Sequence, residues 1–253
     1  MGGTDLRAAK PRIQSIGRGF SVLFAIARSD RGLKARDIAA QLHLDRQTTY
    51  HILQSLEAIG VVMKSRENSY VLGLKVAELL EGFPRHLAPP ERLAPLVRAL
   101  VKEIGETSYV VGWVNDEIVV LAAVRGTKPV SAIDVPQGYT SNAHARASGK
   151  LLLALAEPAR RSSYLDERGL RKLTPKTITK RSVLEKEFAQ IRASRLSIER
   201  EEFAAGLCCM AVPIADTGDT FVLGISVPLE RFDTNVESYK LAMHRVASQR
   251  SEY

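Results

Sequence analysis

The pattern of apolar and polar positions along the chain is clearest between residues 33 and 72. A short helix is predicted over residues 35–42, because the apolar residues there recur at helical spacing. Asp45 follows after a turn of two residues, where its carboxylate can cap the start of a second helix. Gly60 comes directly after the last apolar position of that helix, where a left-handed C-terminal cap is typical. The stretch therefore predicts two helices joined by a tight turn.

The second of these helices has two contrasting faces. Its apolar residues are predicted to form one buried face: Ile52, Leu53, Leu56 and Ile59. Its outward face carries hydrogen-bond donors and acceptors: Arg46, Gln47, Thr48, Tyr50, His51 and Gln54. A helix that lies in the major groove of DNA needs such polar side chains on the face toward the bases, while its opposite face packs on the core of the domain. An ordinary solvated helix would show the same polarity, so the elements around it decide between the two readings.

A β-hairpin is predicted directly after this helix. Residues 61–64 and 69–72 flank a polar turn, as two short strands would. Lys64 and Arg66 lie in this hairpin, where positive charge can meet phosphates or the minor groove. Two helices, a tight turn and a basic hairpin together favour a winged helix-turn-helix that binds DNA.

The segments on either side of this unit are less sharply patterned. Residues 1–12 are expected to form a disordered basic arm, and residues 15–28 a helix. Phe20 and Phe24 exceed what a three-helix core needs, so part of this helix is expected to pack on a partner subunit. A connector helix is predicted over residues 74–80, ending at Gly82-Phe83-Pro84.

After residue 90, the pattern of apolar and polar residues predicts a mixture of helices and strands. Helices are predicted over residues 91–104, 148–156, 160–170, 182–195 and about 235–248. Strands are predicted over residues 108–114, 117–124, 128–135, 207–214 and 221–227, with turns at 115–116, 136–138 and 216–219. This order predicts an α+β fold, an antiparallel sheet with helices packed on it. The predicted domains are an arm (1–12), a winged helix-turn-helix DNA-binding domain (13–73), a connector helix and linker (74–90) and a sensor-like second domain (91–253).

Charge is concentrated in the predicted DNA-binding part. The chain has 253 residues and a net charge of +8. Residues 1–75 carry 12 Lys and Arg against 6 Asp and Glu, a net +6, whereas the remaining 178 residues carry 24 against 22, a net +2. Positive charge placed in this way suits phosphate contacts and favours nucleic acid over a membrane surface as the partner.

Several classes of protein are disfavoured. Adjacent Cys208 and Cys209 give neither a disulfide framework nor a zinc spacing. No catalytic motif is present, and no metal or cofactor is predicted. Since neither a signal peptide nor a run of about 20 apolar residues is found, a cytoplasmic protein is expected.

Several short motifs occur together in a specific order. They are QSIGRG (14–19), LDRQTTYHILQSL (44–56), YVLG (70–73), HARASGKLLLA (144–154), LTPKTI (173–178), EEF (201–203), GLCC (206–209) and AVPI (211–214). In this order and spacing the chain resembles the IclR family of bacterial transcriptional regulators over about residues 13–250. The resemblance implies a homodimer or a dimer of dimers, a pseudo-palindromic double-stranded DNA site and a GAF-like C-terminal domain that binds a small organic effector, commonly a carboxylate or an aromatic acid.

The resemblance also implies an effector pocket. Carried over by position, its lining would be Ala147, Ser148, Glu199, Leu207, Cys209 and Ser226. This sequence departs from the family pattern at three residues: Arg146 replaces a small residue, His51 an arginine, and Arg195 a glycine.

The residues themselves add a physical reason for an anion site. The free N–H groups at the start of the 148–156 helix attract a carboxylate, and Gly149 allows close approach of a ligand or simply relieves packing. Arg146 either clamps a carboxylate or lies in solvent. The run 199–202 is expected to be mostly a solvated charged stretch.

The sequence thus predicts a sequence-specific transcriptional regulator whose operator binding is altered by an effector. Two alternatives are a DNA-binding dimer whose second domain only oligomerises, and a Cys-dependent enzyme.

Overall fold

The computed structural model describes residues 11–86, 93–129, 138 and 140–249. The chain divides into two compact units, Met1–Arg85 and His86–Tyr253. The predicted arm lies almost wholly outside the described residues, as do most of the predicted strand 128–135 and turn 136–138. Lys128 and Pro129, at the start of that predicted strand, are described and are not in a strand.

The first unit is a winged helix-turn-helix, as predicted. Its elements are α1 (Gln14–Ala27), α2 (Ala35–Gln41), α3 (Arg46–Ile59), β1 (Val62–Lys64), β2 (Tyr70–Leu72) and α4 (Val76–His86). β1 and β2 pair antiparallel to form the wing. Val22, Ile38 and Leu53, one from each of the first three helices, have no exposed surface and form the centre of the core.

The predicted end of the connector helix is wrong. Helix α4 continues through Gly82, Phe83 and Pro84 and ends at His86. A proline inside a helix removes one hydrogen bond to the preceding turn. Since Pro84 lies in the last turn of α4, the loss of that single bond does not stop the helix.

The second unit contains a five-stranded antiparallel sheet with strand order β4-β3-β7-β6-β5. The strands are β3 (Thr107–Val114), β4 (Glu117–Val124), β5 (Ser197–Arg200), β6 (Leu207–Pro213) and β7 (Phe221–Pro228). The β3–β4 hairpin turns at Asn115 and Asp116, which both have positive φ, as the predicted turn requires. Strand β5 was not predicted, because its four residues, SIER, have no apolar alternation long enough to detect.

Helices cover both faces of this sheet. On one face pack α5 (Leu93–Ile104) and α9 (Leu229–Ala247), and α9 begins earlier than predicted. On the other face pack the 3-10 helix Ala143–Ala145 and helices α6 (Ala147–Leu155), α7 (Pro158–Arg168) and α8 (Arg181–Ser194). Since neither face is open to solvent, successive residues of a central strand are all buried. Cys208 lies in one core and Cys209 in the other.

Candidate DNA-binding and effector-binding sites

Helix α3 is held at both ends and along its back. The side chain of Asp45 accepts a hydrogen bond from the backbone N–H of Thr48 at 2.8 Å, and Gly60 ends the helix with φ +86°. Leu53 and Thr49 are completely buried, and the Thr49 hydroxyl donates to the Asp45 carbonyl at 2.9 Å. These contacts fix which face of α3 points outward.

The predicted DNA-contacting residues lie on that outward side. Seven of the eight are exposed, and only Thr48 is half-buried: Arg46, Gln47, Thr48, Tyr50, His51 and Gln54 on α3, and Lys64 and Arg66 in the wing. By helical geometry, Gln47, His51 and Gln54 share the face opposite the buried residues. This face offers amide and imidazole groups to a partner, and the Tyr50 phenol and positive charge flank it.

Beside this polar face lies an apolar groove, and here one prediction is wrong. Ile59 was expected to be buried, but it is 60% exposed. It lines a groove of about 620 Å³ with Ile16 and Phe20 of α1 and Leu79 of α4. Phe24, on the same helix as Phe20, is also half exposed. Three helices of the DNA-binding unit thus present an apolar surface that the described residues do not cover.

In the second unit the predicted effector residues come together on one face of the sheet. Glu199 pairs with Cys209 across β5 and β6, and Cys209 pairs with Ser226 across β6 and β7. The three residues therefore form a buried polar row, with Cys209 Sγ 3.2 Å from Ser226 Oγ. Leu207 is buried on the same face. Burying polar groups in an apolar core costs free energy unless they are hydrogen-bonded. This row is therefore a candidate for hydrogen bonding to a bound ligand.

The expectation that residues 199–202 are solvated is wrong for two of the four. Glu199 is 1% exposed and Glu202 is 9% exposed. Glu199 Oε2 accepts hydrogen bonds from the backbone N–H of Glu202 at 2.8 Å and of Phe203 at 3.4 Å. Burial raises the pKa of Glu199 above its usual value, although a hydrogen bond with the Cys209 side chain, the two backbone hydrogen bonds and the charge of Lys150 act in the opposite direction.

Helix α6 begins on the same face. Arg146, Ala147 and Ser148 are all buried, so Arg146 does not lie in solvent. The Arg146 guanidinium carbon lies 4.7 Å from the centroid of the Phe203 ring and 5.9 Å from that of the Tyr109 ring. Stacking on aromatic rings holds a guanidinium in place while its edge can still donate hydrogen bonds.

Gly149 serves packing. A Cβ atom at this position would lie 2.3 Å from the carbonyl oxygen of Ala143, so no larger residue fits. The close approach predicted for this glycine is therefore made by the chain's own 3-10 helix.

Groups that an enzyme of the cysteine type would need are poorly suited to that chemistry. Burial raises the pKa of the Cys208 thiol to about 11 and that of Cys209 well above its usual value, so neither is an activated nucleophile. His144 is buried, its Nε2–H donates to the Arg171 carbonyl at 3.0 Å, and burial lowers its pKa.

Within the described part of the chain, no cluster of three or more His, Cys, Asp or Glu could hold a metal ion. The same residues contain no helix with the length and apolar character of a membrane span.

Two family models match this chain in the order of the two units. The model of the IclR helix-turn-helix domain matches residues 15–66, and that of the bacterial transcriptional regulator IclR C-terminal domain matches residues 90–252. The chain belongs to the IclR family of transcriptional regulators. The matching families and relatives are regulators of transcription and not enzymes.

Individual relatives agree with the IclR assignment. The HTH-type transcriptional regulator BhcR of Paracoccus denitrificans is 32% identical over 216 residues, which are 85% of this chain and 77% of BhcR. The crystal structure of Thermotoga maritima IclR is 25% identical, with a TM-score of 0.58, and the match covers 92% of this chain and 95% of that one. An IclR homologue from Microbacterium hydrocarbonoxydans, solved in complex with 4-hydroxybenzoate, has a TM-score of 0.61 at 23% identity, over 92% of this chain and 95% of that one.

Sequence reasoning missed the buried Lys150 of the IclR C-terminal domain and its two carboxylate partners. Lys150 has no exposed surface, and its Nζ donates to Glu187 Oε1 at 2.5 Å and to Glu202 Oε1 at 2.6 Å. The spacing of Lys150 on the apolar α6 could have shown that it points inward. Its two partners are 37 and 52 residues away in sequence, so only the folded chain shows them.

Proposed function

We propose that this IclR-family regulator binds a pseudo-palindromic operator as a dimer, and that a small organic acid bound to its second domain changes operator affinity. The proposed domains are the arm (1–12), the DNA-binding domain (13–73), the connector (74–90) and the effector and oligomerisation domain (91–253). Since the operator lies on chromosomal DNA, we also propose a cytoplasmic location.

The observation that carries the DNA-binding part is the two-sided character of α3. Gln47, His51 and Gln54 are exposed on the face opposite Leu53, which is completely buried. Each can donate to or accept from base edges in the major groove. Lys64 and Arg66 of the wing would contact phosphates or the minor groove, and these contacts position the protein without specifying sequence.

Mobility-shift assays on the protein's own promoter DNA test this assignment. Arg46→Ala combined with Gln47→Ala should abolish the sequence-specific complex, because each lost base contact costs about 1–3 kcal/mol. Arg66→Ala should weaken specific and non-specific DNA alike and flatten the salt dependence. Arg98→Ala, on an exposed residue of α5, removes the same charge from the other unit and is the control. Unchanged specific binding by the Arg46/Gln47 variant would refute the assignment.

The effector part is supported by the buried face of the second unit. Arg146 supplies a positive charge, the start of α6 supplies backbone N–H groups, and the row from Glu199 to Ser226 supplies hydrogen-bonding groups. These groups suit a small carboxylate. The structurally similar Microbacterium protein is a complex with 4-hydroxybenzoate, an aromatic acid of this class. A true effector should raise the melting temperature of the protein by mass action.

A dimer is supported by the apolar surface of α1, α3 and α4. A second copy would cover Phe20, Phe24 and the groove beside them, and would place two α3 helices on one DNA site. An effector can then act only through unequal affinity for two arrangements of the dimer.

A second candidate function is a dimer whose C-terminal domain only oligomerises. Small acids that leave the melting temperature and DNA affinity unchanged would favour that alternative.

A further inference from the structure

The loop between β5 and β6 touches both the proposed effector residues and a buried ion-pair cluster. Glu202 belongs to both groups of contacts. Its backbone N–H donates to the Glu199 carboxyl at 2.8 Å, and its side chain accepts from Lys150 at 2.6 Å. The neighbouring Phe203 donates its backbone N–H to Glu199 and places its ring against Arg146. The position of this loop therefore sets the geometry of two effector residues at once.

The loop is also held by hydrogen bonds from two threonines, Thr174 and Thr177. The hydroxyl of Thr177 donates to the Glu202 carbonyl at 2.7 Å, and that of Thr174 donates to the Glu201 carbonyl at 2.7 Å. Lys150 in turn ties the loop to α8 through Glu187. A buried lysine with no exposed surface is stable only when it is paired, so this cluster resists displacement of the loop.

We propose that Glu202 is a positioning residue for the effector: held by Lys150, it fixes the backbone amides that orient Glu199 and the ring that supports Arg146. This inference rests on the proposed effector function. Glu202 does not itself contact the effector; it acts by holding in place the loop whose backbone amides bind Glu199 and whose Phe203 ring lies against Arg146.

The charges around Glu202 agree with a positioning role. Three charged residues face Glu202: Lys150 on α6, Glu187 on α8 and Glu199 on β5. His144, at the 3-10 helix, lies near Lys150; burial lowers the pKa of His144, and the charge of Lys150 lowers it further. Burial raises the pKa of Glu202 to about 7, although Lys150 acts in the opposite direction. Removing one member of a buried ion pair leaves the other charge unpaired, so Lys150 and Glu202 hold each other in place.

A matched pair of substitutions tests the proposal. Glu201 lies next to Glu202 in the same loop and also pairs with a lysine, Lys176, but on the exposed side. We expect Glu202→Ala to weaken binding of the probes pyruvate or 4-hydroxybenzoate by about 10-fold or more. Glu202→Gln should recover part of that loss, because its amide oxygen can still accept from Lys150. Glu201→Ala should bind either probe like the unaltered protein.

A second measurement needs no ligand. Infrared spectroscopy over a pH titration follows the carboxyl C=O band of Glu199, assigned by its absence in Glu199→Gln. Glu202→Ala should shift this band, since the backbone amides that bind Glu199 are released, and Glu201→Ala should leave it in place. An unmoved band in folded Glu202→Ala overturns the positioning role, as does probe affinity equal to that of the unaltered protein. If neither probe binds the unaltered protein, those acids are not the effector, whereas the band still decides the role of Glu202.

Discussion

The carboxylate of Asp45 accepts a hydrogen bond from the backbone N–H of Thr48 at 2.8 Å, which fixes the first turn of the proposed recognition helix. A hydrogen bond from the Thr48 side chain, together with this backbone bond, lowers the pKa of Asp45 below its usual value. The folded state therefore gains stability from Asp45 above the unfolded pKa, and loses it as the pH falls through the folded pKa.

Asp45→Ala should therefore fray the start of α3. The loss in free energy of specific DNA binding should exceed the loss in free energy of unfolding, because Arg46 and Gln47 lie in the freed turn. Hydrogen exchange at the first-turn amides, together with a mobility shift, measures both effects. Asp37→Ala is the control, since Asp37 lies in the first turn of α2 and pairs with exposed Arg36. Equal effects of the two substitutions would contradict the prediction.

Glu106 should be a main determinant of the stability of the second unit. It has no exposed surface and accepts hydrogen bonds from Arg231, Lys128 and Tyr239. Glu106→Gln should lower the free energy of unfolding by about 3 kcal/mol, because it leaves a buried ion pair without one partner. Denaturant unfolding measures this change. Glu103→Gln, at an α5 carboxylate that pairs with exposed Arg245, should change stability little.

The same residue gives a pH dependence. Burial alone would raise the pKa of Glu106, but the bonds from Arg231, Lys128 and Tyr239 lower it overall. The folded state then binds fewer protons than the unfolded state near the usual pKa of about 4.3, so the stabilisation is present at neutral pH and is lost on acidification. Between pH 3 and pH 6, the free energy of unfolding should therefore change more with pH for the unaltered protein than for Glu106→Gln. Identical pH profiles would contradict the ionised state of Glu106.

The exposed rings of Phe20 and Phe24 should matter for association and not for folding. Replacing both with Ala should raise the dimer dissociation constant by about 30-fold and leave the melting temperature of a monomer nearly unchanged. Sedimentation over a range of protein concentrations measures the first effect. Val183→Ala, at an exposed apolar residue of α8, is the matched control. A dimer that persists in the double variant would place the interface on another surface.

Neither thiol should react in the folded protein at pH 8. Burial raises the pKa of Cys208 to about 11 and that of Cys209 well above its usual value, and neither side chain is exposed. Ellman's reagent should detect two thiols only after denaturation. Rapid reaction that is lost in Cys209→Ser would show that the buried row opens to solvent, and would support a role for Cys209 beyond packing.

Local pattern determined most of the DNA-binding unit. The spacing of Leu53 and Leu56, the cap at Asp45 and the glycine at position 60 each act within a few residues, so the sequence alone predicts α3 and its exposed face. Ile59 shows where this reasoning ends. Helical periodicity assigned it to the buried face, but in the folded unit it lines an open groove between α1, α3 and α4.

The second site depended on contacts that periodicity does not show. The sequence determined the β3–β4 hairpin and the apolar helix α6, since turn residues and apolar runs are local signals. Only the tertiary structure decided that Glu199 and Glu202 are buried, because β5 lies beside β6 and a lysine of α6 offsets part of the cost of burying Glu202. A charged run is solvated by default, and a buried counter-charge brought from 52 residues away reverses that outcome for Glu202.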